Sequence, residues 1–161
     1  MATTIDLVEL TRSLVDIDST TGREGEAGHW LARCLRDLEY EVVEQSVSDG
    51  RFNVYAHLGT PPSIVFSTHF DCVPPFFPSR VERGLVFGRG ACDAKGILAA
   101  QVTAAGRLLT LRIRIIYMVS TSISTFIAAA MAALALNTSA GSIGTEPIGP
   151  GKMSRSRFPM Q

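Results

Sequence analysis

Apolar residues recur at helical spacing from the start of the chain. Ile5, Val8, Leu7, Leu10, Leu14 and Val15 form a stripe that predicts a helix over residues 5–15, broken by Ser19-Thr20-Thr21-Gly22. A second stripe, with Ala27, Trp30 or Leu31, Cys34, Leu35 and Leu38 on one face, predicts a helix over residues 24–38. The pattern then shortens to strand length. Residues 42–47 and 52–58 read as two strands flanking the turn Ser48-Asp49-Gly50, and residues 63–68 form a nearly continuous apolar run. Such a run predicts a strand buried on both faces. After a Pro- and Phe-rich loop over residues 74–78, Leu85-Val86-Phe87 reads as a short strand. Residues 94–109 read as a helix that tolerates Gly96 and Gly106 at some cost. Residues 112–119 are β-like, and residues 126–136 form an Ala-rich apolar helix.

Strands alternating with helices predict an α/β domain, a mixed sheet flanked by helices. Residues 1–136 are expected to form that domain, while the Gly, Pro, Ser and basic residues of 137–161 predict a disordered tail. Residues 115–136 carry no charge, which meets the length criterion for a membrane span. Five Ser/Thr between Ser120 and Thr125, and the switch from β-branched to Ala-rich composition, fit a strand–turn–helix better.

The 161 residues suffice for one domain that buries roughly two thirds of its unfolded surface. With 19% charged residues and zero formal net charge, nothing points to nucleic acid as a partner. The charge is unevenly spread, however. Residues 1–109 carry ten Lys/Arg and fourteen Asp/Glu, whereas residues 110–161 carry five and one. Between Asp93 and Glu146 no acid occurs, a gap that chance produces roughly once in a thousand at the earlier acid frequency. The three cysteines, Cys34, Cys72 and Cys92, lack C-x-x-C spacing and read as structural, reduced thiols. No basic n-region or apolar core opens the chain, so a cytoplasmic location is expected.

Two stretches carry the chemistry. In Ser67-Thr68-His69-Phe70-Asp71-Cys72-Val73-Pro74, alternation along an extended segment turns His69 and Asp71 to one face. Asp71 can then take the second ring N–H of the imidazole and raise its basicity toward a cation. In Gly88-Arg89-Gly90-Ala91-Cys92-Asp93-Ala94-Lys95-Gly96, Asp93 follows a Gly-rich turn at the start of a helix. Arg89 reads as a turn-stabilising residue and Lys95 as a solvated first-turn lysine.

At these residues the chain resembles the metal-dependent exopeptidase and deacylase family of acetylornithine deacetylase, succinyl-diaminopimelate desuccinylase, aminoacylase and carboxypeptidase G. The family patterns S-x-H-x-D-x-V-P and G-R-G-x-x-D-x-K-G, about twenty residues apart, are both complete. Asp18-Ser19-Thr20-Thr21-Gly22-Arg23-Glu24-Gly25 and Asn53-Val54-Tyr55-Ala56 extend the similarity, which runs over residues 5–109. The resemblance implies a zinc-exopeptidase-like catalytic domain with helices on both sides of a mixed sheet. It also implies two Zn2+ or Co2+ ions and hydrolysis of an amide in a small N-acyl amino acid or peptide. His69 matches the terminal histidine ligand, Asp93 the bridging aspartate, and Asp71 the catalytic acid that orients the histidine.

The resemblance also requires a Glu-Glu pair about thirty residues after the bridging aspartate, one acting as general base, then a later acid and a final histidine. Here the corresponding stretch reads Val119-Ser120-Thr121-Ser122-Ile123-Ser124-Thr125-Phe126, and His69 is the last histidine. No general base is found, and at most a weak partial metal site is expected. The chain reads as the first part of a deacylase that departs from its pattern near residue 110, truncated or frame-shifted and inactive as written. Two alternatives stay open: a non-catalytic remnant with the same fold, and a membrane-anchored α/β protein. No membrane partner is expected on the main reading, and self-association through exposed apolar surface is.

Overall fold

A computed structural model describes residues 5–120 apart from 49, 60–63 and 109–114. The expected helix over 126–136, the tail over 137–161 and the domain division at 136 lie outside the described residues.

Helix α1 (Leu7–Val15) begins where Asp6 Oδ1 accepts the backbone N–H groups of Val8 and Glu9, at 2.8 and 3.0 Å. A carboxylate at this position satisfies two donors that a helix start otherwise leaves open. Helix α2 (Gly25–Asp37) buries Ala27, Leu31 and Leu35 of the stripe read from the sequence, together with Gly28 and Ala32, while Trp30, Cys34 and Leu38 are half-buried. Strands β1 (Glu41–Ser48) and β2 (Arg51–Leu58) form the expected antiparallel hairpin. Next come β3 (Ile64–His69), β4 (Arg80–Glu82), β5 (Leu85–Phe87), α3 (Lys95–Leu108) and β6 (Ile115–Ser120).

The main sheet has the order β1-β2-β6-β3, with β6 antiparallel to β2 and parallel to β3. The last described strand thus sits between two earlier ones, and α3 supplies the long crossover that a parallel pair needs. Strand β3 was expected to be covered on both faces. Among the described residues it is the sheet edge, and Val65 is 54% exposed. Strands β4 and β5 pair as a separate hairpin around Arg83-Gly84, both with positive φ, the backbone of a tight two-residue turn. Strand β4 was not read from the sequence, because all three of its residues are exposed and no apolar alternation marks them.

Alternate positions of the two central strands point into one core: Phe52, Val54 and Ala56 from β2, and Ile115, Tyr117 and Val119 from β6. Leu10 and Leu14 of α1, Leu31 and Leu35 of α2, and Leu98 and Val102 of α3 meet them there. The three described helices therefore feed a single core rather than one on each face of the sheet. Tyr117 stacks on Phe66 at 5.6 Å and meets Tyr40 edge-on at 5.2 Å, and its hydroxyl donates to the Gln101 carbonyl at 3.3 Å.

Burial pushes the phenols of Tyr117 and Tyr40 above their ordinary value. A group whose folded value is raised contributes its full share of stability below its unfolded value, about 10 for tyrosine, and loses it as pH rises beyond that. Urea unfolding followed from about pH 9 to about pH 11 should show a midpoint that falls above about pH 10. The fall should be shallower in Tyr117→Phe; identical profiles for the two chains would contradict the assignment.

Candidate metal centre

His69 closes β3, and the chain leaves the sheet through buried Phe70 to Asp71. Asp71 Oδ1 lies 3.0 Å from His69 Nδ1, the pairing that the alternation of this segment implies. On the other side of the ring, Asp93 Oδ1 lies 3.2 Å from His69 Nε2. The two motifs, far apart in the chain, thus meet at one imidazole. His69 and Asp71 are mostly enclosed, with side chains 17% and 18% exposed, whereas Asp93 is 80% exposed.

Both ring nitrogens face carboxylate oxygens, yet a neutral imidazole has only one N–H to give. Two states satisfy this geometry. Either the ring is doubly protonated, or it donates from Nδ1 to Asp71 while Nε2 and Asp93 share a cation. Ligand atoms about 2.0–2.1 Å from a tetrahedral zinc lie about 3.3 Å apart, so the 3.2 Å spacing suits a shared cation and a direct hydrogen bond equally. The exposed remainder of Asp93 leaves room for further ligands. Among the described residues no group of three His, Cys, Asp or Glu is arranged to hold an ion, so the donor set fits a metal only in part. Of the cysteines, Cys72 is buried and Cys92 exposed. A cavity of about 450 Å³ beside α2, lined by Ile5, Trp30, Cys34 and Leu38, shares no residue with this cluster.

The segment between α1 and α2 holds the first motif in place. Ser19 Oγ donates to the Phe70 carbonyl at 2.6 Å, Cys72 N–H donates to the Ser19 carbonyl at 2.9 Å, and Thr21 N–H donates to the Cys72 carbonyl at 3.1 Å. Asp18 folds the segment by accepting both the Thr20 N–H and hydroxyl, which hold its carboxyl below the usual range. Behind it Glu24 is 1% exposed, with Oε1 2.8 Å from Arg51 Nη2. Burial pushes the Asp71 carboxyl up; His69 pulls it back and Glu24 adds to the rise. Removing Arg51 from such a buried pair would leave an uncompensated charge. The Ser19 and Glu24 roles were not read from residue chemistry, since nothing local shows what a Ser or Glu in a loop will touch.

In the second motif Arg89 stabilises the turn as expected: Nε donates to the Pro75 carbonyl at 2.9 Å, and the guanidinium lies 4.7 Å from the Phe77 ring centre. Lys95 does not match its expectation. It is 0% exposed, and Nζ donates to the Ile17 carbonyl at 2.7 Å. Burial pushes its ammonium below the usual value, against the pull of Cys72, Asp18 and Asp16. In the first turn of α3, Lys95 and Leu98 face inward while Ile97 is exposed. Gly90, at φ +87°, leaves the space that the Lys95 stem and Cys72 fill: a Cβ there would lie 2.6 Å from Cys72 Sγ and 3.1 Å from Lys95 Cδ.

The described residues thus combine a mixed sheet, helices packed into one core, and a His–Asp pair where β3 meets the loop before α3. Residues 65–121 match Peptidase family M20/M25/M40. A probable carboxypeptidase of Aspergillus clavatus is 38% identical over 118 residues, covering 64% of this chain and 28% of its own. Human carnosine dipeptidase 1 shares the fold, with a TM-score of 0.65 at 19% identity over 82% of this chain and 35% of its own. So does a dinuclear metal binding peptidase of the M20 family from Bacillus subtilis, with a TM-score of 0.56 at 18% identity over 81% of this chain and 39% of its own. The chain is thus similar to this peptidase family over its N-terminal part. It spans 28% of the length of the Aspergillus relative. No helix among the described residues is long and apolar enough to cross a membrane.

Proposed function

We propose that this chain carries the first part of a dinuclear, metal-dependent amide hydrolase site. His69 and Asp93 would hold metal, Asp71 would orient the imidazole, and the remaining ligands and the base are absent from residues 110–161. The observation that carries the reading is the His69 ring held between two carboxylates, with Nε2 3.2 Å from Asp93 Oδ1. When bound, Zn2+ or Co2+ would activate water and polarise an amide carbonyl. The chain's own contribution is more limited. Asp71 fixes the ring so that Nε2 presents its lone pair, and the Ser19 bonds keep the end of β3 rigid. The substrate class is a small peptide or N-acyl amino acid, supported by the peptidase and carboxypeptidase names of the relatives. The lack of any Glu between Asp93 and Glu146 favours a partial, non-catalytic centre in this polypeptide, whose match to the family model ends at residue 121.

The test is titration of the 161-residue chain with Co2+ or Zn2+ by calorimetry. Two protein ligands should give a dissociation constant of about a micromolar or weaker, because tight sites use four ligands or three plus water. Binding should vanish in His69→Ala. No binding by the unsubstituted chain would sink the proposal, and a nanomolar two-ion site would refute its incompleteness.

A further inference from the structure

We infer that Lys95 is a positioning residue for the His69–Asp93 pair, acting as a buried strut that joins the two motifs. Its role as a strut rests on geometry alone; its consequence for metal rests on the reading proposed above.

Asp93 is exposed, and no contact of its own side chain except that with His69 is recorded among the described residues. Its position is therefore set by the backbone around it. Two residues on, Lys95 runs fully buried past Gly90 to the Ile17 carbonyl. Its N–H also donates to the Gly90 carbonyl at 2.9 Å, which closes the loop that carries Asp93. Ile17 opens the segment whose Ser19 and Thr21 bind the chain at Phe70 and Cys72, next to His69 and Asp71. The same segment anchors the approach to β4, since Asp16 accepts the Ser79 N–H at 2.6 Å. One side chain thus ties the loop of Asp93 to the segment that holds His69. An ammonium suits the task because a buried carbonyl left without a donor is costly, and an apolar side chain of the same length supplies none. Outer residues that orient metal ligands typically govern about 10–100-fold of metal affinity.

The experiment compares the full chain with Lys95→Met by NMR, without metal first. In the unsubstituted chain, Asp93→Asn should shift the His69 Cε1–Hε1 resonance, because the two side chains touch. In the Lys95→Met background that response should be lost, although the circular dichroism of the helices is retained. With Co2+ added, the dissociation constant should rise by about tenfold or more. A chain with a lower melting temperature but an unchanged His69 response and Co2+ affinity would make Lys95 a core residue only and overturn the inference. Should Lys95→Met fail to fold, the coupling is read from its other end. Asp93→Asn, a substitution at an exposed site, should then shift the Lys95 15Nζ signal and speed its proton exchange; an unmoved signal overturns the inference. If the unsubstituted chain binds no Co2+, the metal reading fails while the metal-free NMR still decides the role of Lys95.

Discussion

A polypeptide of these 161 residues, supplied with Zn2+ or Co2+, turns over no N-acetyl or N-succinyl amino acid and no dipeptide above background. Amide hydrolysis at this kind of site needs a base to take the proton from the attacking water, and a positioned base alone contributes about 10²–10⁴-fold. After Asp93 the next acid is Glu146, and between them the polar residues are Ser, Thr, Asn, Gln, Arg, Lys95 and Tyr117, the last two buried and engaged with the Ile17 and Gln101 carbonyls. A hydroxyl near neutral pH neither accepts that proton nor replaces a carboxylate as a ligand. Putting two glutamates at Thr121 and Ser122 should not restore turnover, because no histidine follows His69 to complete the ligand set. The measurement is release of free amine over hours at high enzyme concentration, with His69→Ala as the comparison. Turnover that disappears in His69→Ala would reveal a ligand set beyond the residues named here.

Gly96→Ala unfolds or strongly destabilises the chain, although helix propensity alone argues the reverse. In a helix interior, replacing Gly by Ala is worth about 1 kcal/mol of stability. A Cβ on Gly96, however, would overlap the carbonyl oxygen of Ala91 and approach its carbonyl carbon at 3.3 Å. Both are backbone atoms of the loop that carries Asp93, so relief requires that loop to move. Overpacking of this kind costs about 1–3 kcal/mol and sometimes more, and here it outweighs the propensity gain. Chemical denaturation should show a loss of about 2 kcal/mol or greater. Gly106→Ala supplies the contrast: its Cβ would meet only the tip of Ile5, at 3.2 Å, so the loss there should be much smaller. A Gly96→Ala chain as stable as the parent would mean that the loop before α3 is not packed as described.

Part of the candidate site is legible in the sequence, for a local reason. The His69–Asp71 pairing follows from two-residue alternation in an extended segment, and that geometry holds wherever the strand lies. The helices α1 and α2 and the β1–β2 hairpin were equally readable, because each carries its own period and its own breaks. Recognition of the family came from residues whose spacing is dictated within a single loop. Lys95, Glu24 and Gly96 behave differently. A lysine in a first helical turn, a glutamate before a helix and a glycine within one each have an ordinary local explanation, and each was read that way or passed over. What overrides it for Lys95 and Glu24 is a neighbour far away in sequence, the Ile17 carbonyl and Arg51; for Gly96 it is the path of the preceding loop, which brings the Ala91 carbonyl back against it.

The sequence by itself determined the two motifs around His69 and Asp93 and the described elements other than β4, since these depend on residue identity and on periods a few residues long. Only the tertiary structure decided that β6 enters between β2 and β3, that His69 and Asp93 meet, and that a buried lysine ties their loops together. Those outcomes depend on which distant surfaces exclude water together. No local pattern records that, because burial belongs to the assembled layers and not to any one segment.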